Sequence, residues 1–229
     1  MSILNRSTMR DAQTVDYVDS SAIDGHKVLR NTYMLLSMTL LFSALTAGVS
    51  VAYALPSMGI IVTLVGYFGL LFLTTKLRNS AWGIASVFAL TGFMGLTLGP
   101  IISRYLGMPG GSGIVMNAMG LTAVIFLGLS TYVLVSKRDF SFMGGFLFVG
   151  MVIALIAGIA AMVFEMPALG LAVSAMVALL SAGLILFETS RIVNGGETNY
   201  VMATVSLYVS VFNLFTSLLS LFGLGGSND

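Results

Sequence analysis

Glu188 is the carboxylate that falls within a long apolar stretch and away from its ends, in Ile185-Leu186-Phe187-Glu188-Thr189-Ser190-Arg191. A carboxylate there can titrate, pass on a proton, hold a cation or pair with a base. On insertion scales an Asp or Lys at mid-bilayer costs about 2.5–3.5 kcal/mol, and less near an interface. The sequence leaves several uses open. Glu188 can answer to protons or cations, or it can snorkel to the interface. It can also pair with Arg191 at i+3, or with Lys76 or Arg78 from another connection.

A second pattern follows close behind. Ala203, Ser206, Ser210, Asn213, Ser217 and Ser220 recur at spacings of 3 and 4, a seven-residue period of small and polar side chains. Leu207, Val211, Leu214, Leu218 and Leu221 lie on other faces. Such a stripe does not belong against lipid. It either lines a hydrated path, with Ser206, Ser210 and Asn213 beside Glu188, or it holds helices together.

Other chemistry is scarce. With no cysteine there is no disulfide, no thiolate metal site and no thiol nucleophile. The single histidine, His26, cannot build an imidazole cluster. A net charge of +1 offers no field for nucleic acid. No zinc, P-loop or nucleophile-elbow pattern occurs, so the sequence predicts no enzyme, no cofactor and no metal site.

The elements that position these residues are set by composition. Of 229 residues 57% are hydrophobic and 8% charged, against about 25% charged in soluble domains. Mean hydropathy is +1.00. The class is an integral membrane protein.

Seven apolar stretches, near 32–55, 58–75, 81–104, 114–136, 140–164, 168–190 and 200–222, each approach the ~20 residues that cross a bilayer as a helix. The expected fold is all-α, with six helices around a central seventh in a domain spanning residues 30–224. Residues 1–29 are polar and mixed in charge, and read as a flexible tail; 225–229 read as a short second tail.

Lys/Arg counts set the orientation. With the N-terminus inside, nine basic residues lie inside and only Arg104 outside. This predicts a cytoplasmic N-terminus and a periplasmic C-terminus.

Three connections on the outer side share a Pro-containing pattern around Pro56, Pro109 and Pro167, which suggests helical hairpins followed by an unpaired seventh helix. Gly95-Leu96-Thr97-Leu98-Gly99 reads as close helix packing, and Pro100 should kink or end the third helix.

Three segments resemble the Bax inhibitor 1 family, in particular its proteobacterial branch. They are His26-Lys27-Val28-Leu29-Arg30-Asn31-Thr32-Tyr33, Leu90-Thr91-Gly92-Phe93 running to Leu98-Gly99-Pro100, and Phe187-Glu188-Thr189-Ser190 through Gly195-Gly196-Glu197-Thr198-Asn199-Tyr200 to Asn213-Leu214-Phe215. The likeness covers about His26 to Gly223.

It implies an inner-membrane protein that binds and modulates the FtsH membrane protease and is itself slowly degraded by it, with that protease's membrane regulators as further candidate partners. It also implies an alternative, a pH-responsive cation leak of calcium or protons. In leak members an acid late in helix 6 faces another in helix 7. Glu188 matches the first, whereas Ser206 and Ser210 stand where the second would be. A lone carboxylate cannot share a proton as a pair does, and it offers calcium few charged ligands.

Overall fold

The computed structural model describes the backbone of residues 4–225 and the side chains of residues 26–223. Among these residues the chain forms seven α-helices and one 3₁₀ turn. They are α1 (Leu4–Ala52), α2 (Gly59–Leu77), α3 (Trp82–Leu106), α4 (Gly111–Ser136), the turn Ser141–Met143, α5 (Gly144–Val163), α6 (Pro167–Val193) and α7 (Tyr200–Gly225). All seven are long and apolar enough to cross a membrane, α1 through its part from His26 to Ala52.

The backbone from Leu4 is helical and continuous with the first span. No proline occurs in that stretch and the first glycine is Gly25, so nothing interrupts the i→i−4 ladder. Of the two expected tails, residues 1–3 and 226–229 lie outside the described residues.

Pro100 lies inside α3, which continues to Leu106. A proline leaves the carbonyl four residues earlier without its partner. That carbonyl belongs to Leu96, and the Ser50 hydroxyl of α1 donates to it at 2.9 Å. The neighbouring helix supplies the bond the proline removes.

Small residues allow this approach. A Cβ at Gly95 would collide with Ser43 and Thr46, and one at Gly99 with Ser50. The Gly95/Gly99 pair therefore seats α3 against α1.

The centre of the bundle is α7. It packs directly on α1, α3, α4 and α6, while α2 leans on α3 and α5 on α6 as an outer pair. One apolar cluster joins Leu36, Val87, Leu90, Ile192, Val201 and Leu207. A second joins Ala47, Leu98, Ala118, Ile185, Leu214 and Leu219. The outer helices turn large apolar side chains outward, including Ile61 (74% exposed) and Phe146 (71%). Water would not tolerate such a surface; hydrocarbon suits it.

Candidate functional site

The end of the bundle that carries Lys76, Arg78, Lys137, Arg138 and Arg191 is here called the basic end. There α6 stops in a motif that needs glycine. Gly196 N–H donates to the Arg191 carbonyl at 2.7 Å and Gly195 N–H to the Ile192 carbonyl at 3.4 Å. Gly195 takes φ +76°, a left-handed conformation that a Cβ penalises. The chain doubles back and returns Glu197 to Arg191.

Arg191 then gathers several groups. Its guanidinium lies 3.6 Å from Glu188 and 3.3 Å from Glu197. It also donates to the Gly196 carbonyl at 3.4 Å and lies over the Phe187 ring, 5.5 Å from the ring centre. Glu188 is buried, with 8% of its surface exposed. Its Oε2 is within ion-pair range of Arg191 but too far for a hydrogen bond, and no other group bonds to it. Glu188 is thus compensated in charge while one oxygen has no donor.

Each remaining polar residue of the turn holds a different part of the bundle. Asn199 caps α7, its Oδ1 accepting from Met202 N–H at 3.1 Å. Its Nδ2 donates to the Arg78 carbonyl at 3.2 Å and to Asn79 Oδ1 at 2.8 Å, fixing the α2–α3 connection. Glu197 Oε1 accepts from Asn199 N–H at 2.9 Å.

Ser190 holds the α4–α5 connection. Its Oγ accepts from Phe140 N–H at 2.8 Å and from Asn194 Nδ2 at 3.2 Å, and donates to the Arg138 carbonyl at 3.2 Å. Beside it, hydrogen bonds from the Ser141 hydroxyl and then its N–H hold the Asp139 carboxyl below its ordinary pKa. Thr189 meets Tyr33 of α1 at 3.4 Å. The result is a clasp in which the end of α6 and the turn that follows it tie down both other connections at the basic end and the first span.

Away from the clasp, α6 and α7 run antiparallel, with Ser174 donating to Ser220 at 3.1 Å. Ser181 is fully buried and its hydroxyl has no partner. Ser210 lies one turn from Ser206 and donates to its carbonyl at 2.9 Å.

Of the sequence-stated partners, Arg191 is the base that meets Glu188. Lys76 and Arg78 form no ion pair with it among the described residues; Arg78 joins the clasp through its carbonyl. Sequence reasoning missed Glu197, Asn199, Ser190 and the Thr189–Tyr33 contact as site members. The signal was present, since most of them lie in the segments that carry the family resemblance. Polar residues at the end of a span read as solvated loop until the fold brings the connections together.

Seven apolar helices, a lipid-facing surface and a carboxylate clasped by a base define a multi-pass α-helical membrane protein. The chain belongs to the Bax inhibitor 1 family: residues 25–228 match the profile described as "Inhibitor of apoptosis-promoting Bax1".

Among its relatives is the Escherichia coli protein "Modulator of FtsH protease YccA", 55% identical over 204 residues, which cover 89% of this chain and 93% of that one. A Pseudomonas aeruginosa protein whose name assigns no activity is 53% identical over 88% of this chain and 91% of its own. A Vibrio cholerae membrane protein is 45% identical over 90% of this chain and 93% of its own.

Proposed function

We propose that this protein is an inner-membrane regulator that binds and restrains an FtsH-type ATP-dependent protease and is itself a slowly processed substrate of it. The observation that carries this reading is the 55% identity, over 89% of the chain, to a protein named as a modulator of that protease. The reading places the basic end and the amino-terminus in the cytoplasm, in keeping with the nine-to-one distribution of Lys and Arg.

The geometry supplies a rationale. Before the first span, α1 carries a further 22 residues, Leu4 to Gly25, on the side of the basic end. As a helix they reach about 33 Å at ~1.5 Å per residue. A processive protease engages such an extension and pulls. Load on α1 passes to α6 through Tyr33–Thr189 and to α7 through the Thr32 carbonyl, which accepts from Thr204 at 3.3 Å. Extraction then requires breaking a seven-helix bundle, and an engaged enzyme that cannot finish is withheld from other clients.

A second reading is a pH-responsive cation leak, and the buried Glu188 of α6 together with the polar stripe of α7 favours it. Against it stands the charge count: Ser206 and Ser210 offer hydroxyls where a second carboxylate would compensate a divalent ion. Among the described residues no three acids, histidines or cysteines group together.

Ion flux in liposomes containing only this protein separates the readings. A regulator gives no flux in either the parent or Glu188→Gln. A calcium or proton flux that depends on pH in the parent and loses that dependence in Glu188→Gln would establish the leak instead.

A further inference from the structure

In the half of the bundle away from the basic end, a cavity of about 680 Å³ lies between α1, α3, α4 and α7. Its size is that of a small-molecule site, about 300–1,000 Å³. Leu98 of α3 and Val211, Phe212 and Phe215 of α7 form its inner wall. The rims are Ala44 and Gly48 on α1 and Ala123 and Leu127 on α4, all exposed. These two helices do not pack on one another along the rims, so the cavity opens sideways, toward the hydrocarbon that surrounds the spans.

The polar side chains in the lining are spent internally. Ser43 Oγ and Tyr208 OH share a 2.6 Å hydrogen bond, and Tyr208 donates to the Thr91 carbonyl at 3.3 Å. Thr122 donates to the Ala118 carbonyl at 2.7 Å. No hydroxyl hydrogen is left to donate to a headgroup or a sugar, and Ser43, Thr122 and Tyr208 are buried, so the cavity offers chiefly dispersion contacts. Three of the four rim residues named are Ala or Gly, which keeps the entrance open. A Cβ added at Gly48 would meet no atom within 4 Å.

We propose that this lateral groove between α1 and α4 is a binding site for one acyl chain of a bilayer lipid, taken tail-first from the membrane. The occupant is hydrocarbon because the entrance faces hydrocarbon and the lining has no free donor, its few hydroxyl oxygens being buried. The site is separate from the clasp and does not depend on the protease reading. It gives this half of the bundle a lipid component in its packing.

The test reconstitutes the full chain in nanodiscs of phosphatidylethanolamine whose acyl chain carries a diazirine, followed by photolysis and mass spectrometry of the labelled peptides. Label should concentrate on residues 44–48 and 119–127, several-fold above lipid-facing Phe148 and Val152 of α5. Gly48→Phe, and independently Ala123→Phe, should reduce groove labelling several-fold while leaving α5 labelling and thermal stability as in the parent. If one variant fails to fold, the other carries the test. Equal labelling of groove and α5, or groove labelling unchanged by the substitutions, would overturn the proposal. So would cross-links from a photoreactive residue at position 123 that reach a protein helix rather than lipid.

Discussion

The guanidinium of Arg191 stands 3.6 Å from the Glu188 carboxylate, one helical turn away on α6, and 3.3 Å from Glu197 beyond the turn. One base thus serves two acids, and only about a third of its side chain is exposed. Removing it leaves the buried Glu188 carboxyl without its base. Arg191→Met should cost about 1–3 kcal/mol, the usual penalty for stranding a buried polar group. Glu188→Gln in the same chain should recover most of that. Denaturant or thermal unfolding of the single and double variants decides the matter. A double variant no more stable than Arg191→Met would mean that the two side chains are not coupled.

Asn199 separates two duties within one side chain. Asn199→Ala removes both the cap of α7 and the tie to the α2–α3 connection. Loss of a cap alone costs ~0.5–2 kcal/mol. Asn199→Asp keeps the capping oxygen but loses the two Nδ2 bonds to Arg78 and Asn79. Stability should therefore rank parent, then Asp, then Ala. In the Asp variant, amide exchange should quicken around residues 77–80 but not at the start of α7. Equal loss in both variants would show that the tie, not the cap, carries the effect.

The Leu96 carbonyl depends on Ser50. Ser50→Ala should destabilise by ~0.6 kcal/mol, typical of hydrogen bonds within membrane bundles, and by up to about 1.7. In a Pro100→Ala background, α3 regains its own bond and Ser50→Ala should become nearly silent. An unchanged cost in that background would refute the rescue.

What the sequence made legible follows from where each cause lies. Span positions depend on local runs of apolar residues, so the seven helices were visible. Glu188 stood out because a charge in such a run is costly. The stripe from Ala203 to Ser220 showed its period, but the meeting of Ser220 with Ser174 needs the α6–α7 pairing. That α3 continues past Pro100 is not legible locally, because the donor to the Leu96 carbonyl, Ser50, sits on another helix. Residues 4–25 read as a tail because they carry no sustained apolar period.

Asp139 gives the clasp a response to acid. Its folded pKa lies below the ordinary value of 3.8, so its stabilising contribution is complete above that value. It is lost as pH falls through the folded pKa. Amide exchange at residues 140–143, corrected for intrinsic rates, should stay constant from pH 7 to 5 and accelerate below about pH 4, where Asp carboxyls protonate. In Asp139→Asn the acceleration should vanish. The same rise in that variant would assign it to another group.

The central claim is that this chain restrains a membrane protease through engagement. The most direct measurement is the degradation rate of a membrane substrate by an FtsH-type protease in liposomes, titrated with this protein. The account predicts a rate that falls and saturates as the protein is added, with the protein itself degraded slowly. A substrate rate unchanged across the titration would contradict it.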